Sequence, residues 1–224
     1  MTADAVFPVL LSLRVSTLAL AIVAPTGVCL ALVQARVQYR LRRVVDALIL
    51  LPLVLPPSVI GFFLVVVFGR RGVVGHMLEE LFGLRLVFTP LAAVIASTVV
   101  ALPILVKTAQ PAIESVPAEL EAVARSLGLS PLAVILRVTL PAAKRGVLAG
   151  VVLAFARALG EFGATLMFAG NIPGRTNTMP LEIFVAYQTG EDARAATYVA
   201  ILTALSLGVV FIAGSVGPRF AARW

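Results

Sequence analysis

The chain has 224 residues, of which 60% are hydrophobic and 13% charged, with a mean hydropathy of +1.05. A soluble domain with one buried core cannot hide that much apolar sequence. The formal charge of +7 rests on basic residues scattered between apolar runs, without an interleaved polar or aromatic face, which argues against nucleic acid as a partner.

Residues 9–33, 47–68, 87–106, 147–169 and 195–216 are each apolar enough to cross roughly 30 Å of hydrocarbon. Lipid is their expected surrounding, and the fold class is all-α, a polytopic membrane protein with about five spans. The first run follows a leader with Asp4 and no Lys or Arg before Arg14, and it exceeds the apolar region of a signal peptide, so an uncleaved span is expected. It holds Cys29, the one cysteine, which excludes an intrachain disulfide.

The second run carries Pro52, Pro56, Pro57 and Gly61. Each proline removes a backbone donor, so a kinked helix is expected, with Pro56, Pro57 and Ser58 as candidates to line a pathway where water meets the freed carbonyls. The connection after it holds Arg70, Arg71 and His76, the one histidine, too little for a His and Cys metal site.

Residues 107–145 form the longest charged connection. Ser115 as an N-cap, Pro117 in the first turn, Glu119 and Glu121 at the positive end of the dipole, and Gly128 in a left-handed terminal position predict a helix over 117–127. Ser130 and Pro131 repeat the signal for a second helix over 132–138 that stops before Pro141. Leu120, Val123, Ala124 and Leu127 make a narrow apolar stripe, to be covered either by the membrane domain or by a separate protein.

In the fourth run Arg157 and Glu161 stand four residues apart on one face, about a turn outward of the middle for Glu161, where a carboxylate needs a partner or water. Either they satisfy each other or they face a pathway; Gly160 and Gly163 permit another helix to approach closely. Residues 171–178 read as a turn-rich loop. Basic residues divide unequally between the two sides. Arg36, Arg40, Arg42, Arg43, Lys107, Arg125, Arg137, Lys144, Arg145, Arg219 and Arg223 oppose Arg70, Arg71, Arg85, Arg175 and Arg194, which puts the N-terminus outside and the C-terminus in the cytoplasm. No internal repeat or linker divides residues 1–224, so one membrane domain is expected. The absence of a Gly-x4-Gly-Lys-Ser/Thr segment and of any catalytic set predicts neither an enzyme nor a nucleotide site.

The long connection resembles the cytoplasmic loop of ABC importer permeases, E-A-A, three residues, G, nine residues, I-x-L-P. Ala122, Val123 and Ala124 fill the first three places, Gly128 the glycine, and Val138, Leu140 and Pro141 the last positions. The glutamate place holds Ala122, with Glu121 one residue earlier, and the isoleucine place holds Val138. The segments 157–165, 170–176 and 178–181, with 51–57 and 68–72, are similar to the permeases for molybdate and related oxyanions. Sulfate permeases share much of the pattern but are longer, with an added span, so molybdate is favoured over sulfate, and tungstate stays an alternative cargo. The resemblance implies a type I ABC importer permease in the plasma (inner) membrane. It further implies a coupling helix seated in a cytoplasmic ATPase, a second copy of the chain, and an extracytoplasmic oxyanion-binding protein docked near Asn171, Arg175 and Thr176. ATP would bind the partner, leaving this chain without a cofactor; if Arg157 and Glu161 face the pathway and do not only satisfy each other, Arg157 would attract the oxyanion and Glu161 would hold it in place or weaken its binding enough for release. The rival function is an ion-coupled secondary carrier, for which Glu161 is the single candidate ion site and against which the loop motif and the odd span number argue.

Overall fold

The computed structural model describes residues 3–216; Arg219 and Arg223, used in the charge count, lie outside the described residues. Among the described residues every regular element is helical: α1 (Ala3–Arg36), α2 (Arg42–Val54), α3 (Pro57–Phe68), α4 (Val73–Phe82), α5 (Pro90–Glu114), α6 (Ala118–Ser126), α7 (Pro131–Val134), a π segment (Ile135–Thr139), α8 (Leu140–Leu159), α9 (Gly163–Ala169), α10 (Met179–Gln188) and α11 (Asp192–Val216). Helix is the form that satisfies every peptide group within its own segment where no water reaches. Hydroxyls in the spans follow the same rule: Ser16, Thr98 and Thr108 donate to carbonyls four residues back at 2.7, 2.8 and 2.8 Å.

α5 is the axis of the bundle. Thr89 caps its start by accepting from the Ala92 N–H at 3.3 Å, and Pro90 sits in the first turn, where a missing donor costs nothing. Ala92, Ala93, Ala96, Ala101 and Ala109 are fully or almost fully buried along it, small enough to let α1 and α8 approach closely. A Cβ on Gly146 of α8 would lie 2.2 Å from the Ala112 Cβ, so that approach requires glycine.

The second span is more than kinked: α2 and α3 are bent by 114° at their break. Leu55 and Pro56 adopt extended backbone there, with ψ of 142° and 136°, as residues before proline prefer. Arg42 lies 3.2 Å from Glu114 and Asp46 pairs with Lys107, which puts the start of α2 at the C-terminal end of α5. The Phe68 ring, at the end of α3, meets Phe168 at 5.9 Å, and the Phe168 carbonyl accepts the Phe88 N–H just before α5 begins. The pair therefore passes from one end of the bundle to the other, and the chain makes five passes.

The fourth pass departs from its expected bounds at both ends. It is helical from Pro131 to Leu159, so the second loop helix does not stop at Pro141. The five residues Ile135–Thr139 widen into a π turn, which absorbs the donor that proline lacks. At the other end the helix breaks at 160–162 before α9. Ser115, expected to cap the first loop helix, instead ends α5 and donates its hydroxyl to the Ala112 carbonyl at 2.8 Å. α6 begins after Pro117 without a side-chain cap.

Candidate functional site

α6 has two faces with different partners. Glu121 and Ala124 are buried against the membrane domain, whereas Leu120, Val123 and Leu127 are 49%, 58% and 75% exposed. The expected stripe is thus divided: Ala124 faces inward, and three large apolar side chains remain uncovered. Ala122, in the glutamate place of the motif, is exposed, and Leu132 and Leu136 beyond the turn add 65% and 56% exposed apolar side chains. The turn has the expected chirality. Gly128 has φ of +86°, its N–H donates to the Arg125 carbonyl at 3.0 Å, and the Leu129 N–H reaches the Ala124 carbonyl at 3.2 Å, the paired bonds of a Schellman terminus.

The inward face of α6 is tied down by charge. Glu121 Oε1 lies 2.9 Å from Arg36 Nη2 and accepts from the Thr139 hydroxyl at 2.8 Å. The same Arg36 nitrogen donates to the Ile113 and Val116 carbonyls at 2.9 and 3.0 Å, acceptors at and just beyond the C-terminal end of α5. The ends of α1 and α5, α6 and the π segment therefore meet at one ion pair, the π segment through the Glu121 carboxylate and the end of α5 through the Arg36 guanidinium. Val138 and Leu140, half-buried, and Pro141, exposed, continue from that segment into α8. Sequence reasoning selected Glu121 but not Arg36 or Thr139 as its partners, because no local pattern joins positions so far apart in the chain.

Arg157 and Glu161 form the second charged feature. Glu161 lies in the break after α8, not on a continuous helix as expected. Its Oε2 is 2.7 Å from Arg157 Nη2, and its Oε1 accepts the Ala164 N–H at 2.8 Å. The carboxylate thereby caps α9, whose first N–H groups have no helical acceptor, and its burial at 3% exposure is offset by both partners. Of the two readings in the sequence, the internal pair is formed, and Arg157 keeps an accessible side that Glu161 lacks. A Cβ on Gly163 would lie 2.8 Å from the Pro57 Cβ, so the interruption of the fourth pass abuts that of the second. Pro56, Pro57 and Ser58 are exposed there.

The loop between α9 and α10 is less solvated than expected. Thr176 is fully buried, accepting from the Ile172 N–H at 2.9 Å and donating to the Gly170 carbonyl at 3.1 Å; it closes the loop and offers no docking surface. Asn177 donates to Glu182 at 3.2 Å, and Glu182 pairs with Arg194, locking α10 to α11. Asn171 is half-buried, and Pro173, Gly174 and Arg175 are exposed. Among the described residues no group of three His, Cys, Asp or Glu side chains could hold a metal ion.

A family model described as binding-protein-dependent transport system inner membrane component matches residues 25–221. The molybdenum transport system permease protein ModB of Escherichia coli K12 is 42% identical over 200 residues, 89% of this chain and 87% of that one. The protein of the same name from Mycobacterium tuberculosis is 45% identical over 201 residues, 90% of this chain and 76% of that one. Among solved structures, a bacterial ABC transporter involved in alginate import superposes with a TM-score of 0.75 at 18% identity, covering 99% of this chain and 81% of that one. An amino acid ABC transporter gives 0.67 at 17%, covering 98% and 95%. At these identities the likeness concerns the fold, which is that of ABC importer permeases.

Proposed function

Since the chain belongs to the family of binding-protein-dependent transport system inner membrane components, we propose that it is the membrane-spanning permease subunit of an ATP-driven importer that moves molybdate into the cytoplasm. The cargo follows from relatives named for molybdenum transport that match about nine-tenths of the chain. The ATP coupling is carried by one observation: α6 presents Leu120, Val123 and Leu127 outward while Glu121 holds its other face to α1, α5 and the π segment. An apolar helix face held in place but left uncovered suits a groove on a separate cytoplasmic ATPase. Closure of that ATPase would push α6, and the Arg36 node would carry the push to three passes at once.

In this reading the N-terminus is outside and the C-terminus cytoplasmic. ATP and its hydrolysis belong to the partner, and this chain holds no cofactor. A second copy completes the pathway, which the abutting breaks at Pro57 and Gly163 line together with Ser58 and the accessible side of Arg157. The guanidinium attracts the oxyanion, and Glu161 limits how tightly it is held. An extracytoplasmic oxyanion-binding protein docks on the loop around Asn171 and Pro173.

The test is uptake of labelled molybdate by the reconstituted complex, with tungstate and sulfate as competitors. Uptake should require ATP and persist when ion gradients are collapsed. Uptake that stops with the gradients and ignores the ATPase would establish a secondary carrier instead, and preferential displacement by sulfate would change the cargo. Tags near Arg40 and Arg125 should report the cytoplasm and tags near Gly75 and Arg175 the exterior; the reverse pattern would invert the whole assignment.

A further inference from the structure

The outer parts of α1 and α5 enclose a groove that the transport reading leaves unused. Its cavity measures about 350 Å³, and its walls include Phe7, Leu11, Val15, Leu18, Leu91 and Val94. Leu18 and Leu91 are 56% and 58% exposed. Two cations stand at this otherwise apolar groove, Arg14 from α1 and Arg175 from the loop between α9 and α10. Among the described residues neither guanidinium has a hydrogen bond or ion pair; the same holds for Arg40, Arg43, Arg71, Arg125, Arg137 and Arg145, and what sets Arg14 apart is its place inside an apolar span.

The depth of Arg14 is informative. It precedes Arg36 by 22 residues on one helix, about 33 Å at 1.5 Å per residue, and the hydrocarbon core is about 30 Å thick. With Arg36 at one boundary, Arg14 stands at the headgroup level of the opposite leaflet. An unpaired arginine inside an apolar helix is costly unless an anion or the interface takes up its charge.

The geometry points to a phospholipid site: the phosphate sits between Arg14 and Arg175, one acyl chain starts inward past Val15, Leu18 and Val94, and Phe7, Leu11 and Leu91 border the headgroup. Guanidinium groups match phosphate oxygens in both charge and fork geometry. Leu18, about 6 Å further along α1 than Arg14, is exposed and leaves the inner end of the groove open to hydrocarbon, and a free anion would leave the apolar walls unused. The lipid would join the loop after the broken fourth pass to the first span. Arg175 thereby serves the lipid and not the docked binding protein.

Native mass spectrometry tests this on the full chain extracted with its associated subunits, titrated with phosphatidylglycerol or with a galactosyl diacylglycerol of the same acyl chains. The expected result is one saturable phosphatidylglycerol adduct per chain and none with the galactolipid. Arg14→Gln or Arg175→Gln alone should weaken the adduct about fivefold, the usual effect of one basic residue on anionic lipid, and the double variant should lose it. Leu91→Trp, which fills the groove and leaves both charges, should also displace the lipid. Equal binding of the galactolipid, or an adduct that survives the double substitution, overturns the site. Displacement by equimolar inorganic phosphate would reduce it to an anion site and overturn the acyl-chain assignment. Unchanged lipid binding with weakened docking of the binding protein would return Arg175 to the protein interface. Lipid binding is read without transport, so failure of this site and failure of the molybdate reading are separate results.

Discussion

Arg36 and Glu121 meet at 2.9 Å although 85 positions separate them, whereas Arg157 and Glu161 meet at 2.7 Å across a single turn. The chemistry is the same and the mechanical consequence differs. The long-range pair joins four elements through a guanidinium and the carboxylate it meets, so displacement of α6 pulls on the ends of α1 and α5. The short-range pair joins α8 to α9 across a break, so it stabilises an interruption that would otherwise expose the start of α9. A charged pair in such a protein is therefore best judged by the number of elements that it connects.

The largest effect is expected where burial is deepest. Glu161→Ala removes the cap of α9 and the partner of Arg157, and loss of one member of a buried pair costs about 3–5 kcal/mol. Unfolding in detergent should show it, and Glu161→Gln, which keeps an oxygen for the Ala164 N–H, should lose less. Restoration by Arg157→Met together with Glu161→Gln would confirm that the pair itself carries stability; an unchanged unfolding midpoint in Glu161→Ala would remove the structural role.

Next comes the node. Glu121→Ala breaks one ion pair and one hydrogen bond to a charged acceptor, about 1.5–3 kcal/mol, and its larger consequence is expected in coupling. ATP hydrolysis by the assembled complex should continue while molybdate uptake per ATP falls. Equal loss of hydrolysis and uptake would mean that Glu121 serves docking, not transmission.

Gly128→Val tests the turn between the two faces of the loop. No atom lies within 4 Å of an added Cβ there, so the cost is that of a β-branched residue at φ of +86°, about 1–2 kcal/mol. Gly128→Asn, which tolerates that conformation, should recover most of the uptake; failure to do so would point away from backbone strain.

The smallest effect on stability and the sharpest on function belong to the exposed face. Val123→Asp should stay within about 0.5 kcal/mol of the parent yet abolish ATPase binding, measured by co-purification. Ala124→Phe should do the opposite in order of cause: it overpacks the buried face at about 1–3 kcal/mol and displaces α6 from its seat. If Val123→Asp still co-purifies with the ATPase, the outward face is not the docking surface.

Much of this was legible in the sequence because it depends on neighbours in the chain. The five apolar runs, the Gly128 terminus and the Ser130 cap follow from hydropathy and from side chains that act within three or four residues. The readings that changed depended on distant groups. Ser115 and Pro141 carry a start and a stop signal for short loop helices, but Ser115 serves the end of α5 and the π segment lets the helix run through Pro141. Thr176 has the composition of a docking loop, and only the fold shows its hydroxyl turned inward.

What the sequence by itself determined was the solvent of the chain, its helical class, the number of passes and the family, since these are sums over local apolar length and motif spacing. Which face of α6 is open, which arginine holds Glu121, and where the second and fourth passes break against each other were decided by tertiary structure. Those features depend on close approach of helices far apart in the chain, and the energies that select them arise only when α1, α5 and α8 have packed.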